Sequence, residues 1–219
     1  MDTHQGIAPS NLVSSLGFWS AGIMTVAGIV YLIVVGAYLA AHGFVLPPTG
    51  ALQLFGGIIT ILEAAVLVVL MASIHEATPD RMRILSRLAM IFTVLFCAMV
   101  SINRFVQLSV VQQRISSGET EGISWFLAYG PRSVMFSLEI LGWGFFLGLA
   151  CLFAAPIFSA GRLELAIRWL FVLYGVLGLV TAVAFALASP LAAVGFFAWG
   201  VVLPVATALL TVFFRRARQ

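Results

Sequence analysis

Hydrophobic positions in this chain fall into six long, nearly uninterrupted runs, at about 16–41, 51–74, 87–111, 132–155, 166–188 and 191–214. Each has the length of about 20 residues that carries a helix across roughly 30 Å of hydrocarbon. A membrane barrel would alternate polar and apolar positions in short segments instead. In lipid, moreover, a helix satisfies its own backbone groups. The pattern therefore predicts an all-α integral membrane bundle of six transmembrane helices, forming a single domain over residues 1–219. The first run is too long for a signal peptide and lacks a basic start and a small-residue cleavage site, so it is expected to stay as a helix.

Polar punctuation divides the runs. His42, Gly43, Pro47 and Pro48 mark the first turn, and Ser189–Pro190 the last. Residues 112–131 are the exception in length and carry Trp125, Phe126, Leu127 and Tyr129 among charges and glycines. Such a segment either caps a cavity as a short interfacial helix or anchors an aromatic belt at the headgroups. Gly56, Gly57 and Thr60, and Gly142, Gly144 and Gly148, give small-residue faces for close helix packing. Pro204 should kink the last helix. No internal repeat is visible, which gives little support to an inverted-repeat transporter.

Composition agrees, with 62% hydrophobic and 9% charged residues. Every basic side chain is arginine, so Schiff-base chemistry, retinal linkage included, is excluded. Arg81, Arg83, Arg87, Arg162, Arg168, Arg215, Arg216 and Arg218 lie on one side of the expected spans, against Arg114 and Arg132 on the other. This bias predicts that both termini are cytoplasmic, in a multi-pass protein of a bacterial plasma membrane. The positive charge thus speaks to topology, and no nucleic-acid partner is expected. Cys97 and Cys151 lie within runs and show no metal or redox spacing.

Three ionisable residues interrupt the apolar runs: Glu63, Arg104 and Glu139. A charge at mid-membrane costs about 2.5–3.5 kcal/mol on insertion scales and persists for packing or for chemistry. Asn103, Arg104 and Gln107 share one face of the third helix, and Thr60 and Glu63 one face of the second. Arg132, Phe136, Glu139 and Trp143 form a stripe on the fourth. Met24, Gly28, Tyr31 and Tyr38 on the first helix, and Tyr174, Thr181 and Phe185 on the fifth, are expected to complete an aromatic wall. Two carboxylates against one guanidinium leave one negative charge too many for a low dielectric. The least costly resolution is that one glutamate keeps its proton while the other pairs with Arg104, and a neutral carboxyl in an apolar pocket is a general acid. An Arg–Glu group of this kind also holds helices together without any substrate, and that reading stands beside the chemical one.

Asp2 and Asp80 are the only aspartates, so no acidic cluster exists to hold Mg²⁺ on a diphosphate. His75–Glu76 lacks the second histidine of a zinc-protease helix, and neither a nucleophile-elbow serine nor a phosphate-binding loop is present. No metal and no cofactor is expected.

The run Ile102-Asn103-Arg104-Phe105-Val106-Gln107-Leu108, with Gly118-Glu119-Thr120-Glu121-Gly122 and the stretch from Arg162-Leu163-Glu164 to Arg168-Trp169-Leu170-Phe171, resembles small multi-span bacterial and archaeal proteins of no assigned role. The layout also looks like small bacterial membrane-bound terpene cyclases, in its intramembrane acids, its Asn/Gln patch and its aromatic residues. That resemblance implies that Glu63 or Glu139 protonates an alkene or epoxide of a prenyl chain. Asn103 and Gln107 would then orient the acid or its counter-base, and Trp125, Trp143 and Tyr174 would stabilise carbocations through their π faces; with Arg104 and Tyr129 these are the candidate substrate-binding residues. Arg104 departs from this pattern, because a fixed positive charge repels a carbocation unless a glutamate neutralises it or it binds a substrate phosphate. The leading expectation is a metal-independent enzyme acting on an isoprenoid or similar lipid. The alternatives are a small-molecule binding or transport subunit and a structural membrane protein with a salt-bridged polar core.

Overall fold

A computed structural model of the chain describes residues 10–42, 51–119, 121–128 and 133–219. These residues are almost wholly helical, with no strand among them. Six helices are long and apolar enough to cross a membrane: Asn11–Tyr38, Gln53–Glu76, Asp80–Ser116, Val134–Ile157, Gly161–Ala186 and Pro190–Ala217. The chain is a multi-pass membrane protein. The helices outrun the apolar stretches, most of all the third, because arginine-rich turns at 81–87 and the polar residues 112–116 continue the helical backbone beyond the hydrocarbon.

Each helix packs on its neighbours in sequence, and the first packs on the last, so the six close into a ring. Phe18 at the start of the first helix lies 5.1 Å from the guanidinium of Arg218 at the end of the sixth, which places these two helix ends on the same side. The core is richest in that half of the bundle, with Ala21, Leu70, Ile74, Phe96, Leu210 and Phe214 buried. Toward the opposite end the first hairpin stands off from the ring. Ile29–Val34 of the first helix, and Phe55, Ile58, Ile59 and Leu62 of the second, are half-exposed apolar side chains. In a bilayer these faces meet acyl chains.

The fourth and fifth helices approach backbone to backbone. A Cβ at Gly178 would sit 2.6 Å from the Gly144 carbonyl oxygen, and one at Gly175 would sit 2.8 Å from that of Gly148. Small residues let membrane helices come this close, because lipid tails supply no hydrophobic force to drive them together. Gly178→Ala is therefore expected to lower stability by about 1–3 kcal/mol, the usual cost of overpacking. Thermal unfolding in detergent measures it.

Three helices that border the ring's interior each carry a π segment: Gln107–Val111, Leu141–Phe146 and Ala198–Val202. The last has an evident cause. Pro204 has no N–H for Gly200 to accept from, and its ring presses on that carbonyl, so the turn before it widens. The kink expected at Pro204 thus takes the form of a π segment. Such segments shift the phase of every side chain beyond them, and they recur at functional sites.

Candidate functional site

Glu139 is the hub of the polar interior. It is 4% exposed and accepts hydrogen bonds from Asn103 Nδ2, from Arg104 Nη2 in a salt bridge, and from Trp143 Nε1 at 3.0 Å. Adjacent positions on the third helix supply the first two donors. The third lies one turn along the fourth helix, at the i, i+4 spacing that brings side chains together. Three donors on one carboxylate match the acceptor-only, ionised form. Tyr174 of the fifth helix fixes this arrangement from behind, its hydroxyl donating to the Trp143 carbonyl at 3.0 Å. Trp143 also packs edge-to-face with Phe96, with ring centroids 4.7 Å apart.

One turn further along the third helix, Gln107 Nε2 donates to the Phe126 carbonyl. That carbonyl belongs to the short 3₁₀ turn Ile123–Phe126. Ser133 donates to the Leu127 carbonyl and accepts from Phe136 N at 3.2 Å, capping the fourth helix. The connecting segment is thereby tied to both helix ends. The amide oxygens of Asn103 and Gln107, and the Trp199 indole nitrogen, are buried without a hydrogen-bond partner among the described residues.

Beside Glu139 lies a cavity of about 90 Å³. Met24, Gly28 and Tyr31 line it from the first helix, Thr60 and Glu63 from the second, and Arg104 from the third. Phe136, Glu139 and Trp143 line it from the fourth, with Phe196, Trp199, Leu203 and Pro204 from the sixth. Close packing shapes its wall, for a Cβ on Gly28 would meet the Pro204 ring at 2.4 Å. Tyr31 keeps 44% of its surface exposed while lining the cavity, so on this side the wall is one side chain thick. It faces the loosely packed half of the first hairpin.

Both glutamates and the arginine therefore share one cavity, in different states of satisfaction. Arg104 and Glu139 form a neutral, buried pair. Glu63 is half-buried and accepts no hydrogen bond from the described residues; the hydroxyl of Thr60, one turn away, bonds its own helix at Gly56.

Of the other residues singled out in the sequence, Trp143 lines the cavity, and Asn103 reaches it only through Glu139. Gln107 and Tyr174 stand behind it as supports. Trp125 is 57% exposed and does not line the cavity, which suits a belt anchor rather than a wall. Tyr129 lies outside the described residues. Thr181 and Phe185 do not reach the cavity either: Thr181 bonds the Leu177 carbonyl beneath Gly195, and Phe185 packs edge-on against Phe136. The sixth helix takes the place expected of the fifth. Phe196, Trp199 and Leu203 recur at helical spacing, a signal that was present in the sequence but without a polar residue to mark it.

Comparison with protein-family models, with curated proteins and with solved structures finds no match to this chain.

Proposed function

We propose that this protein is a membrane-embedded enzyme that isomerises an isoprenoid or similar lipid by general acid catalysis, with Glu63 as the acid. The observation that carries this reading is the contrast between two carboxyls in one aromatic-walled cavity. Glu139 is saturated by three donors, whereas Glu63 has none among the described residues. Paired carboxyls in unlike environments are how one site separates a fixed charge from a transferable proton.

The pairing also answers the objection that Arg104 raises. Its positive charge is neutralised by Glu139 before it faces the cavity, so a cation formed there meets aromatic rings and one carboxylate. The step balances simply. Glu63 gives its proton to one carbon of a double bond, leaving a carbocation beside the new carboxylate. That carboxylate then removes a proton from a neighbouring carbon, which moves the double bond and restores the acid. The π faces of Trp143 and Trp199 stabilise the cation between the two transfers.

Cavity size limits the substrate. An engineered cavity of about 150 Å³ takes one benzene ring, so this site admits a chain end and not a folded polyprene. The rest of the lipid would trail past Tyr31 into the bilayer. We place the protein in a bacterial plasma membrane with both termini cytoplasmic, from the arginine bias between the two sides.

The test is to express the protein in a bacterial host supplied with isoprenoids and prenylated lipids, and to compare extracts with an empty-vector control by chromatography and mass spectrometry. A new peak of unchanged mass and altered retention is expected. Extracts indistinguishable from the control across the panel would favour the binding or transport reading.

A further inference from the structure

Far from this cavity, the side of the bundle that carries the last turn of the sixth helix has a second cavity, of about 320 Å³. It lies between the N-terminus of the fifth helix and that last turn, with Arg162, Leu163, Glu164, Phe213 and Arg216 among its lining. Its charges do not cancel. Glu164 is turned onto its own helix start, where it accepts from the backbone N–H groups of Ser159 at 2.9 Å and Ala160 at 2.8 Å. Arg162 and Arg216 form no ion pair with any described residue. Two guanidiniums thus face one concave space whose only carboxylate among the described residues, Glu164, is already occupied.

The position is as informative as the charge. Arg162 lies in the first turn of the fifth membrane-crossing helix and Arg216 in the last turn of the sixth, the ends that a bilayer sets near its headgroups. Beneath them Leu163 and Phe213 give the cavity an apolar floor, with Phe213 held edge-on against Phe158 at 5.6 Å. Guanidinium forks match phosphate oxygens in geometry as well as charge, and basic pockets between transmembrane helices are suited to anionic headgroups.

We propose that this cavity binds the phosphate of an anionic phospholipid, with Arg162 and Arg216 clamping the phosphate and Leu163 and Phe213 seating the lipid's apolar shoulder. The apolar floor argues for a lipid over free phosphate. The site is independent of the chemistry assigned to Glu63.

The test compares thermal unfolding of the full chain in phosphatidylcholine nanodiscs with unfolding in nanodiscs containing phosphatidylglycerol. Inorganic phosphate added to the phosphatidylcholine discs is a third arm. A ligand bound only by the folded state raises Tm, and a shift of about 5 °C is expected with phosphatidylglycerol alone. Arg162→Gln/Arg216→Gln should lose that shift. Arg81→Gln/Arg87→Gln, which removes the same charge from the third helix, should keep it. Equal losses in both double variants would mean diffuse surface attraction and overturn the site, as would no shift in the wild type. An equal shift with inorganic phosphate would overturn the lipid assignment. Should the glutamine variant not fold, Arg162→Lys/Arg216→Lys keeps the charge but not the forks, and retention of the full shift by that variant would likewise overturn the clamp.

Discussion

Arg104→Ala is expected to destabilise the bundle by about 3–5 kcal/mol, the cost of stranding one charge of a buried pair. The reason lies in what remains. Glu139 would keep Asn103 and Trp143 as donors but lose its counter-charge at a site 4% exposed. Water cannot take over the role of the guanidinium there. Thermal unfolding in detergent should show this loss for Arg104→Ala and a comparable one for Glu139→Ala. Arg104→Met/Glu139→Leu should be far less damaging than the sum of the two, because removing both charges together removes the penalty as well as the attraction. If the single variants melted like wild type, the pair would not be buried as described.

Glu63→Gln should behave in the opposite way, folding normally and losing chemistry. Its carboxyl makes no hydrogen bond to the described residues, and glutamine is nearly isosteric, so the packing has little to lose. As the proton donor it is expected to contribute about 10²–10⁴-fold to the rate, and the product peak should fall by that factor. Glu63→Gln with wild-type turnover would end the acid-catalysis account. Glu63→Gln that fails to insert would instead assign Glu63 a structural role.

How far the sequence carries can be judged helix by helix. Met24, Gly28 and Tyr31, and Phe136, Glu139 and Trp143, were legible as cavity faces, because α-helical spacing fixes which side chains align, and Trp143 keeps its i, i+4 bond to Glu139 even though it lies in the π segment Leu141–Phe146. The fifth helix was misleading for a physical reason. Tyr174 and Thr181 look like lining residues, yet each spends its hydroxyl on a backbone carbonyl, Tyr174 on Trp143 of the fourth helix and Thr181 on Leu177 of its own. The same helix uses Gly175 and Gly178 to press against the fourth, which leaves it no path to the interior. The sixth helix was hidden because its lining residues are apolar, so their helical spacing does not set them apart from positions that face lipid. Residue spacing in the first four helices also left open whether Glu63, Arg104 and Glu139 meet. That depends on how the second and fourth helices pack against the third, which no local pattern encodes.

The most direct test of the central claim follows the proton. Product formed in a single turnover, by wild-type protein equilibrated in D₂O and in excess over the lipid, should carry one deuterium at a carbon that does not exchange, since Glu63 starts as the deuterated acid and delivers that deuteron to the lipid. Mass spectrometry of the isolated product would show a gain of about one mass unit over product made in H₂O, as one protonation per turnover requires. Single-turnover product without deuterium would contradict general acid catalysis by Glu63.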